Sequence, residues 1–293
     1  MQLVIGLPAY NEEKNIARVI LELQQITKLI IVCDDGSTDL TTKIAEKMGA
    51  IVVSHPKNLG YGAAIRSIFL KAKELNADIL VTFDADGQHR VQDILKVIEP
   101  IKANTADIVI GSRFLTDSDS VPNYRKFGIK TITKLTNATT KNKITDSQSG
   151  FRAYNGKVIQ RLSLSDSGMG ISTEILIKAD KSEFRITEVP IEILYGGDTS
   201  THNPVGHGIS VILSTMKFIS IERPLKFYGV PGLSFLGVGL FFIIWTLQVF
   251  GESRQVLTNI ALIGIGMTIF GVMLLMSAIM LFSIVSVVRE NKI

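Results

Sequence analysis

The 293-residue chain has one cysteine, Cys33, and one tryptophan, Trp245. A single cysteine excludes a disulfide framework and a zinc site built on cysteines. No charge of one sign dominates. Lys and Arg number 31, Asp and Glu 27, and a net +4 is too weak for a nucleic-acid binder of this size, so no nucleic-acid partner is expected. A hydrophobic content of 46% excludes a disordered chain. Charge is nearly missing at one end. Beyond Lys226 only Glu252, Arg254, Arg289, Glu290 and Lys292 carry it.

That gap divides the chain. Gly229–Phe250 and Leu257–Val288 hold no charged residue. Both exceed the roughly 18 apolar residues a membrane span needs, and a soluble core helix rarely stays uncharged so long. The expected organisation is a soluble domain over 1–205, an interfacial amphipathic segment over 206–227, and transmembrane helices over 228–250 and 256–288. Lys217, Arg223 and Lys226 precede the first span, and Arg289 and Lys292 follow the second. The positive-inside bias then puts both termini and the soluble domain in the cytoplasm, on a cell membrane crossed twice. Met1–Leu7 is short and lacks a basic flank, so a cleaved signal is not expected.

Within the soluble part, apolar runs alternate with helical patterns. Strands are predicted at Leu3–Leu7, Leu29–Cys33, Ile51–Ser54, Ile79–Phe83 and Ile108–Ile110. Helices are predicted at Asn11–Gln25, Thr38–Met48 (capped by Thr38 or Asp39), Gly60–Leu75 and Val91–Ile98. This order implies βαβ units and a mostly parallel sheet, whose ligands sit beyond the strands' carboxyl ends. Pro8–Glu13, Asp34–Asp39 and Asp84–His89 all follow apolar runs and so should share one edge.

Asp84-Ala85-Asp86 carries the sharpest chemistry. Two carboxylates one residue apart on a turn can both reach a hard divalent cation, and Gln88 could add a neutral oxygen. His89 is either a further ligand or a neutral turn residue. Asp34 and Asp35 could accept bonds from a base N–H or ribose hydroxyls, or could cap their own turn, and the two roles are compatible. Cys33 reads as a core residue. Asn58-Leu59-Gly60-Tyr61-Gly62 opens a helix and would let a ligand approach the backbone, but Ile65 breaks any dinucleotide fingerprint. Phe114–Ile144, rich in Ser, Thr, Asn and Lys, reads as a long loop and amphipathic segment serving an acceptor.

In order, Leu7-Pro8-Ala9-Tyr10-Asn11-Glu12-Glu13, Asp34-Asp35-Gly36-Ser37-Thr38-Asp39, Asn58-Leu59-Gly60-Tyr61-Gly62-Ala63-Ala64, Asp84-Ala85-Asp86-Gly87-Gln88-His89, Gly111-Ser112-Arg113 and Asp146-Ser147-Gln148-Ser149-Gly150-Phe151-Arg152 resemble a family-two glycosyltransferase of the GT-A fold. They are similar to its dolichyl-phosphate mannosyltransferase and polyprenyl-phosphate branch, over residues 3–195. The resemblance implies a Rossmann-like α/β catalytic domain, a nucleotide-sugar donor and a polyprenyl or dolichyl phosphate acceptor. It implies that Pro8, Tyr10, Glu12, Asp34 and Asp35 line the nucleoside pocket. Asp84, Asp86 and Gln88 would hold Mg²⁺ or Mn²⁺ on the diphosphate, with the Ala85 backbone nearby. Arg113 and Arg125 would meet donor and acceptor phosphates, and Asp146 would take an orienting role, pairing Arg152.

The chemistry suits that set. A divalent ion stabilises the leaving diphosphate. A phosphate acceptor, with its second pKa about 6, is already a nucleophile at neutral pH and needs no strong base. Direct attack would invert the anomeric centre. After Glu188-Val189-Pro190-Ile191 the branch usually supplies a basic residue, yet Glu192–Asp198 has none, while His202 and His207 follow. GDP-mannose, UDP-glucose and UDP-N-acetylglucosamine therefore all stay open as donors. A processive synthase is disfavoured because Trp245 lies inside a span. A non-catalytic scaffold would not need both metal carboxylates, and an enzyme with a glycan acceptor would not need the hairpin. No motif specifies an oligomeric state.

Overall fold

The structure is a computed structural model that describes residues 1–115, 123–193, 216, 219–221, 223–255 and 257–290, the side chains of 123–125 and 288–290 excepted. It contains two compact units, Met1–Thr215 and Met216–Ile293.

The first unit is built on a seven-stranded sheet. Its strands are β1 (Leu3–Ala9), β2 (Ile30–Asp34), β3 (Ile51–Ser54), β4 (Ile79–Thr82), β5 (Ile108–Ser112), β6 (Arg152–Asn155) and β7 (Ile186–Pro190). The order across the sheet is β3-β2-β1-β4-β6-β5-β7. All neighbours are parallel except around β6, which runs antiparallel between β4 and β5, with Thr82 and Ile110 both paired to Arg152. Helices α1 (Ile16–Leu23), α2 (Thr41–Lys47), α3 (Tyr61–Glu74), α4 (Asp93–Lys102), α5 (Asn123–Thr139), α6 (Gly156–Arg161) and α7 (Ile171–Lys181) complete the unit.

Strand alternation explains why both sheet faces are covered. Ile5, Leu7, Ile30 and Val32 pack on one face with Ile16, Ile20 and Leu23 of α1 and Ile94 and Ile98 of α4. Val4, Ile31 and Cys33 point to the other face and meet Ile65 and Ile68 of α3, Val158 of α6 and Ile175 of α7. Cys33 is a core residue, its thiol pushed up to about 12 by burial and then by the charge of Asp35.

Some expectations change, and α1 opens at Ile16 rather than at Asn11, whose left-handed φ of 54° does not continue a helix. Asp39 holds the start of α2 from two residues upstream, its Oδ1 accepting from the Thr41 amide at 2.9 Å, so the helix opens later than Thr38. The stretch expected as a long loop and amphipathic segment contains the 17-residue helix α5. The helix escaped hydrophobic periodicity because much of its buried face is hydroxyl-bearing. Ile132, Thr133, Thr136 and Thr139 are buried at helical spacing, and Thr133 Oγ1 meets Ser147 Oγ at 2.9 Å.

The second unit is a helical hairpin. A π-helical turn, Leu225–Gly229, leads into α8 (Val230–Ser253), and α9 (Thr258–Glu290) returns. Twenty-four residues reach about 36 Å, enough for the roughly 30 Å of a bilayer core. The helices run antiparallel on small residues. A Cβ on Gly232 would crowd Gly271 O at 3.1 Å, and one on Gly239 would crowd Gly264 O at 2.8 Å. Such close approach is how helices associate without a hydrophobic drive. Phe241, Leu247, Leu262 and Ile279 face outward and exposed. Both helices are long and apolar enough to cross a membrane. Most of the expected interfacial segment, His207 included, lies outside the described residues, as does His202 of the expected soluble domain.

Candidate active site

The parallel strands bring three motifs to one edge. β1 ends in Ala9, β2 in Asp34 and β4 in Thr82, and the register sets Ala9 beside Asp34. Because β6 runs the other way, its first residue, Arg152, and the preceding Gly150 reach this edge too.

The first two motifs interlock. Asn11 takes a left-handed φ of 54°, and its amide donates to Ser37 Oγ at 2.9 Å while its Oδ1 accepts from the Thr38 amide at 2.9 Å. The Glu12 amide donates to Thr41 Oγ1 at 2.8 Å, and the Tyr10 ring stays exposed. Asp34 and Asp35 are both buried. Asp34 accepts from the Ser37 amide at 3.1 Å and Thr42 Oγ1 at 2.7 Å. Asp35 meets His55 Nδ1 at 2.7 Å and accepts from the amides of Leu59 at 2.9 Å and Gly60 at 2.8 Å. A carboxylate has about four acceptor sites. Asp35 therefore spends most of its capacity on its own fold, and Asp34 about half.

His55 is the residue that sequence reading passed over. Its Nε2 meets Ser67 Oγ at 2.9 Å, so the ring bridges α3 to Asp35. A lone histidine after a strand carries no signal of this; only the side chains it meets define its role.

Asp84 and Asp86 follow β4 on a turn allowed by the positive φ of Gly87, 71°. The Asp86 carboxyl is pushed up to about 6, first by burial and then by the charge of Asp84. Its Oδ1 accepts from the Gln88 amide at 2.9 Å. Asp84 remains partly exposed, and its Oδ2 lies 3.2 Å from His89 Nε2. The His89 ring packs between Phe83 and Phe151, and its Nδ1 is buried without a partner among the described residues. Among the described residues no group of three or more His, Cys, Asp and Glu side chains converges as a metal cage. The donor set nonetheless fits a hard cation. Two mutually repelling carboxylates gain from a positive ion, and magnesium-type ions commonly take one or two carboxylates and complete their shell with phosphate and water.

Gly150 closes this corner. A Cβ there would lie 2.5 Å from the Tyr61 hydroxyl and 3.0 to 3.1 Å from the Asp84 oxygens. Burial, and after it the Asp84 charge, holds the Tyr61 phenol well above its usual range, so it stays protonated. Tyr61 belongs to the Asn58–Ala64 motif, and its place beside Asp84 comes from the fold.

Beyond β5, Arg113 is locked. Its Nε meets Asp146 Oδ2 at 2.6 Å and its terminal nitrogen meets Oδ1 at 2.7 Å. Asp146 is fully buried, and Glu188 on β7 accepts the amides of Thr145 at 2.8 Å and Asp146 at 3.0 Å. The expected pairing of Asp146 with Arg152 does not form. Arg152 is buried and spends its guanidinium on the carbonyls of Ser147, Ser149 and Ser172 at 2.8 to 3.1 Å, pinning the turn that carries Gly150. Arg125 lies on α5, with its side chain outside the described residues.

The model of "Glycosyl transferase family 2" matches residues 4–163, which hold the interlocked motifs, Asp84, Asp86, Arg113 and Asp146. The chain belongs to glycosyl transferase family 2. A UDP-N-acetylglucosamine–dolichyl-phosphate N-acetylglucosaminyltransferase of Methanococcus voltae is 38% identical over 211 residues, covering 64% of this chain and 84% of its own. Glycosyltransferase AglJ of Haloferax volcanii is 28% identical over 291 residues, covering 97% of this chain and 94% of its own. Among solved structures, glucosyl-3-phosphoglycerate synthase from Mycobacterium tuberculosis, bound to Mn²⁺, UDP-glucose and phosphoglyceric acid, shares the fold with TM-score 0.58, at 20% identity, covering 74% of this chain and 79% of that one. The family places sugar transfer from a nucleotide-sugar donor on this mostly parallel sheet.

Proposed function

We propose that the protein moves a hexose from a nucleotide sugar to a polyprenyl phosphate of the dolichyl type, with Mg²⁺ or Mn²⁺ bound at Asp84 and Asp86. The observation that carries this reading is the state of Asp146. Both its oxygens are taken by Arg113 and it is fully buried, so it is poorly placed to act as a base. An acceptor that must first lose a proton would need another base, whereas a phosphate dianion needs positive charge to position it. Arg113 supplies such charge, and Arg125 is a second candidate.

In this scheme Pro8, Tyr10, Glu12, Asp34 and Asp35 enclose the nucleoside, with Asp34 the carboxylate of greater spare hydrogen-bonding capacity. Asp84 and Asp86, with Gln88, would hold the ion, which when bound supplies Lewis-acid stabilisation to the departing diphosphate. Arg113 stays oriented by Asp146, and Tyr61 and Gly150 shape the floor. Attack by the acceptor oxygen inverts the anomeric carbon. The two apolar helices suit a lipid-borne acceptor, with the domain over 1–205 and both termini on the cytoplasmic side. Relatives named for dolichyl phosphate support the acceptor class. The donor is GDP-mannose, UDP-glucose or UDP-N-acetylglucosamine.

The test uses the full chain in detergent with dolichyl phosphate and each labelled nucleotide sugar, with and without Mn²⁺. Metal-dependent label in the lipid from one donor is the expected result. Label that enters only water-soluble glycan, or none from any donor, would overturn the proposal.

A further inference from the structure

A second hollow lies between α3 and α6. Arg66, Leu70 and Lys73 recur at i, i+4 and i+7 on α3, and so share one face of that helix. Arg161 closes α6 opposite them. Between them lies a cleft of about 180 Å³. Its floor is apolar, with Phe69, Ile159 and Leu162 buried.

Its charge is one-sided. Arg66, Lys73 and Arg161 line the cleft and no acidic residue does. The nearest acid in sequence, Glu74, is engaged by Lys71 at 2.7 Å. Lys73 Nζ donates to the Gln160 carbonyl at 3.0 Å, which ties its ammonium across the gap. Neither the Arg66 nor the Arg161 guanidinium has a hydrogen bond or ion pair among the described residues, although elsewhere in this domain Arg113, Arg152 and Arg185 are each held by several bonds. Arg66, Lys73 and Arg161 are exposed, so water screens much of their mutual repulsion, and a bound anion removes the remainder. Guanidinium groups grip phosphate through paired N–H bonds, and a lysine adds a point charge.

We propose that this cleft binds a phosphate ester with a small organic body, its phosphate held by Arg66, Arg161 and Lys73 and its carbon part resting on the apolar floor. Ligand pockets for larger molecules run from about 300 Å³ upward, whereas this volume suits a phosphate and a three-carbon body. The chemistry is shared by free glycerol phosphate and by a glycerophospholipid headgroup. The site is distinct from the transfer site, because none of the residues that line it is among those assigned there.

The experiment titrates the full chain in neutral detergent with glycerol 3-phosphate in one arm and phosphatidylglycerol in the other, counting bound ligand by native mass spectrometry. Glycerol and diacylglycerol serve as uncharged controls. One bound copy is expected in at least one arm, which identifies the source. The double variant Arg66→Gln/Arg161→Gln should weaken it at least tenfold with unchanged circular dichroism. Lys28→Gln/Lys47→Gln, which removes equal charge from exposed positions elsewhere, should retain it. No charge-dependent binding in either arm, or equal loss in both double variants, would overturn the proposal.

Discussion

Removing the charge of Asp146 while keeping its shape, by Asp146→Asn, tests how Arg113 is set. In the native chain two charge-assisted bonds, at 2.6 and 2.7 Å, fix the guanidinium plane, and Asp146 is fully buried. Such bonds are worth about 1.5–3 kcal/mol each, and breaking a buried pair costs about 3–5 kcal/mol. The amide retains one acceptor oxygen, so about half of that loss is expected, near 2 kcal/mol of unfolding free energy. The transfer rate should fall further, by about 10²-fold, because a misplaced guanidinium no longer meets phosphate at the right distance. A double-mutant cycle separates this from proton transfer. If Asp146 acts only through Arg113, then Arg113→Lys and Asp146→Asn in one chain should lose little more than the worse single variant. Steady-state rates with saturating donor and varied acceptor measure this, with thermal unfolding as the companion. Losses that multiply, or near-native turnover in Asp146→Asn, would refute the reasoning.

Three further variants probe the same edge. Asp86→Asn should abolish transfer yet stabilise the metal-free fold at pH 7. An acid with its folded pKa raised to about 6 loses stability as pH climbs from the unfolded value through 6, so the neutral amide escapes a penalty of about 1–3 kcal/mol, read by denaturant unfolding. In the native enzyme that same proton competes with metal, so activity at limiting Mn²⁺ should fall below about pH 6 and recover with added Mn²⁺; a profile insensitive to Mn²⁺ would count against the carboxylate ligands. Gly150→Ala should cut turnover at least tenfold, because the new methyl meets Tyr61 and Asp84, whereas Gly128→Ala, with open space around it, should be silent in the same assay. His55→Ala removes one bond to Asp35 and leaves that buried carboxylate short of a partner, costing about 2–3 kcal/mol in thermal unfolding and raising the donor KM more than it lowers kcat; an unchanged melting temperature would show that His55 holds nothing.

Local chemistry was enough to locate most of the framework. Strands β1 to β5 are apolar runs cut by turn residues, and their alternation is short-range physics that needs no partner to be seen. The uncharged stretches behind α8 and α9 are likewise compositional, because a long run without charge is visible residue by residue. The carboxylates of Asp84 and Asp86 stood out because they share a turn directly after a strand.

Long-range pairing decided the rest. The antiparallel insertion of β6 between β4 and β5 brings Gly150 and Arg152 to the edge that holds Asp84 and Asp86, and nothing in the tetrapeptide Arg152–Asn155 announces its direction. Helix α5 turns threonines inward because Ser147 offers one of them a hydroxyl partner across the interface. Arg113 chose Asp146, 33 positions away, and His55 chose Asp35, 20 positions away, through register and packing. Composition and spacing record which groups a chain owns. Which of them meet is set when the sheet closes, since a buried charge or hydrogen-bonding atom must then take whatever partner the topology has placed within about 3 Å.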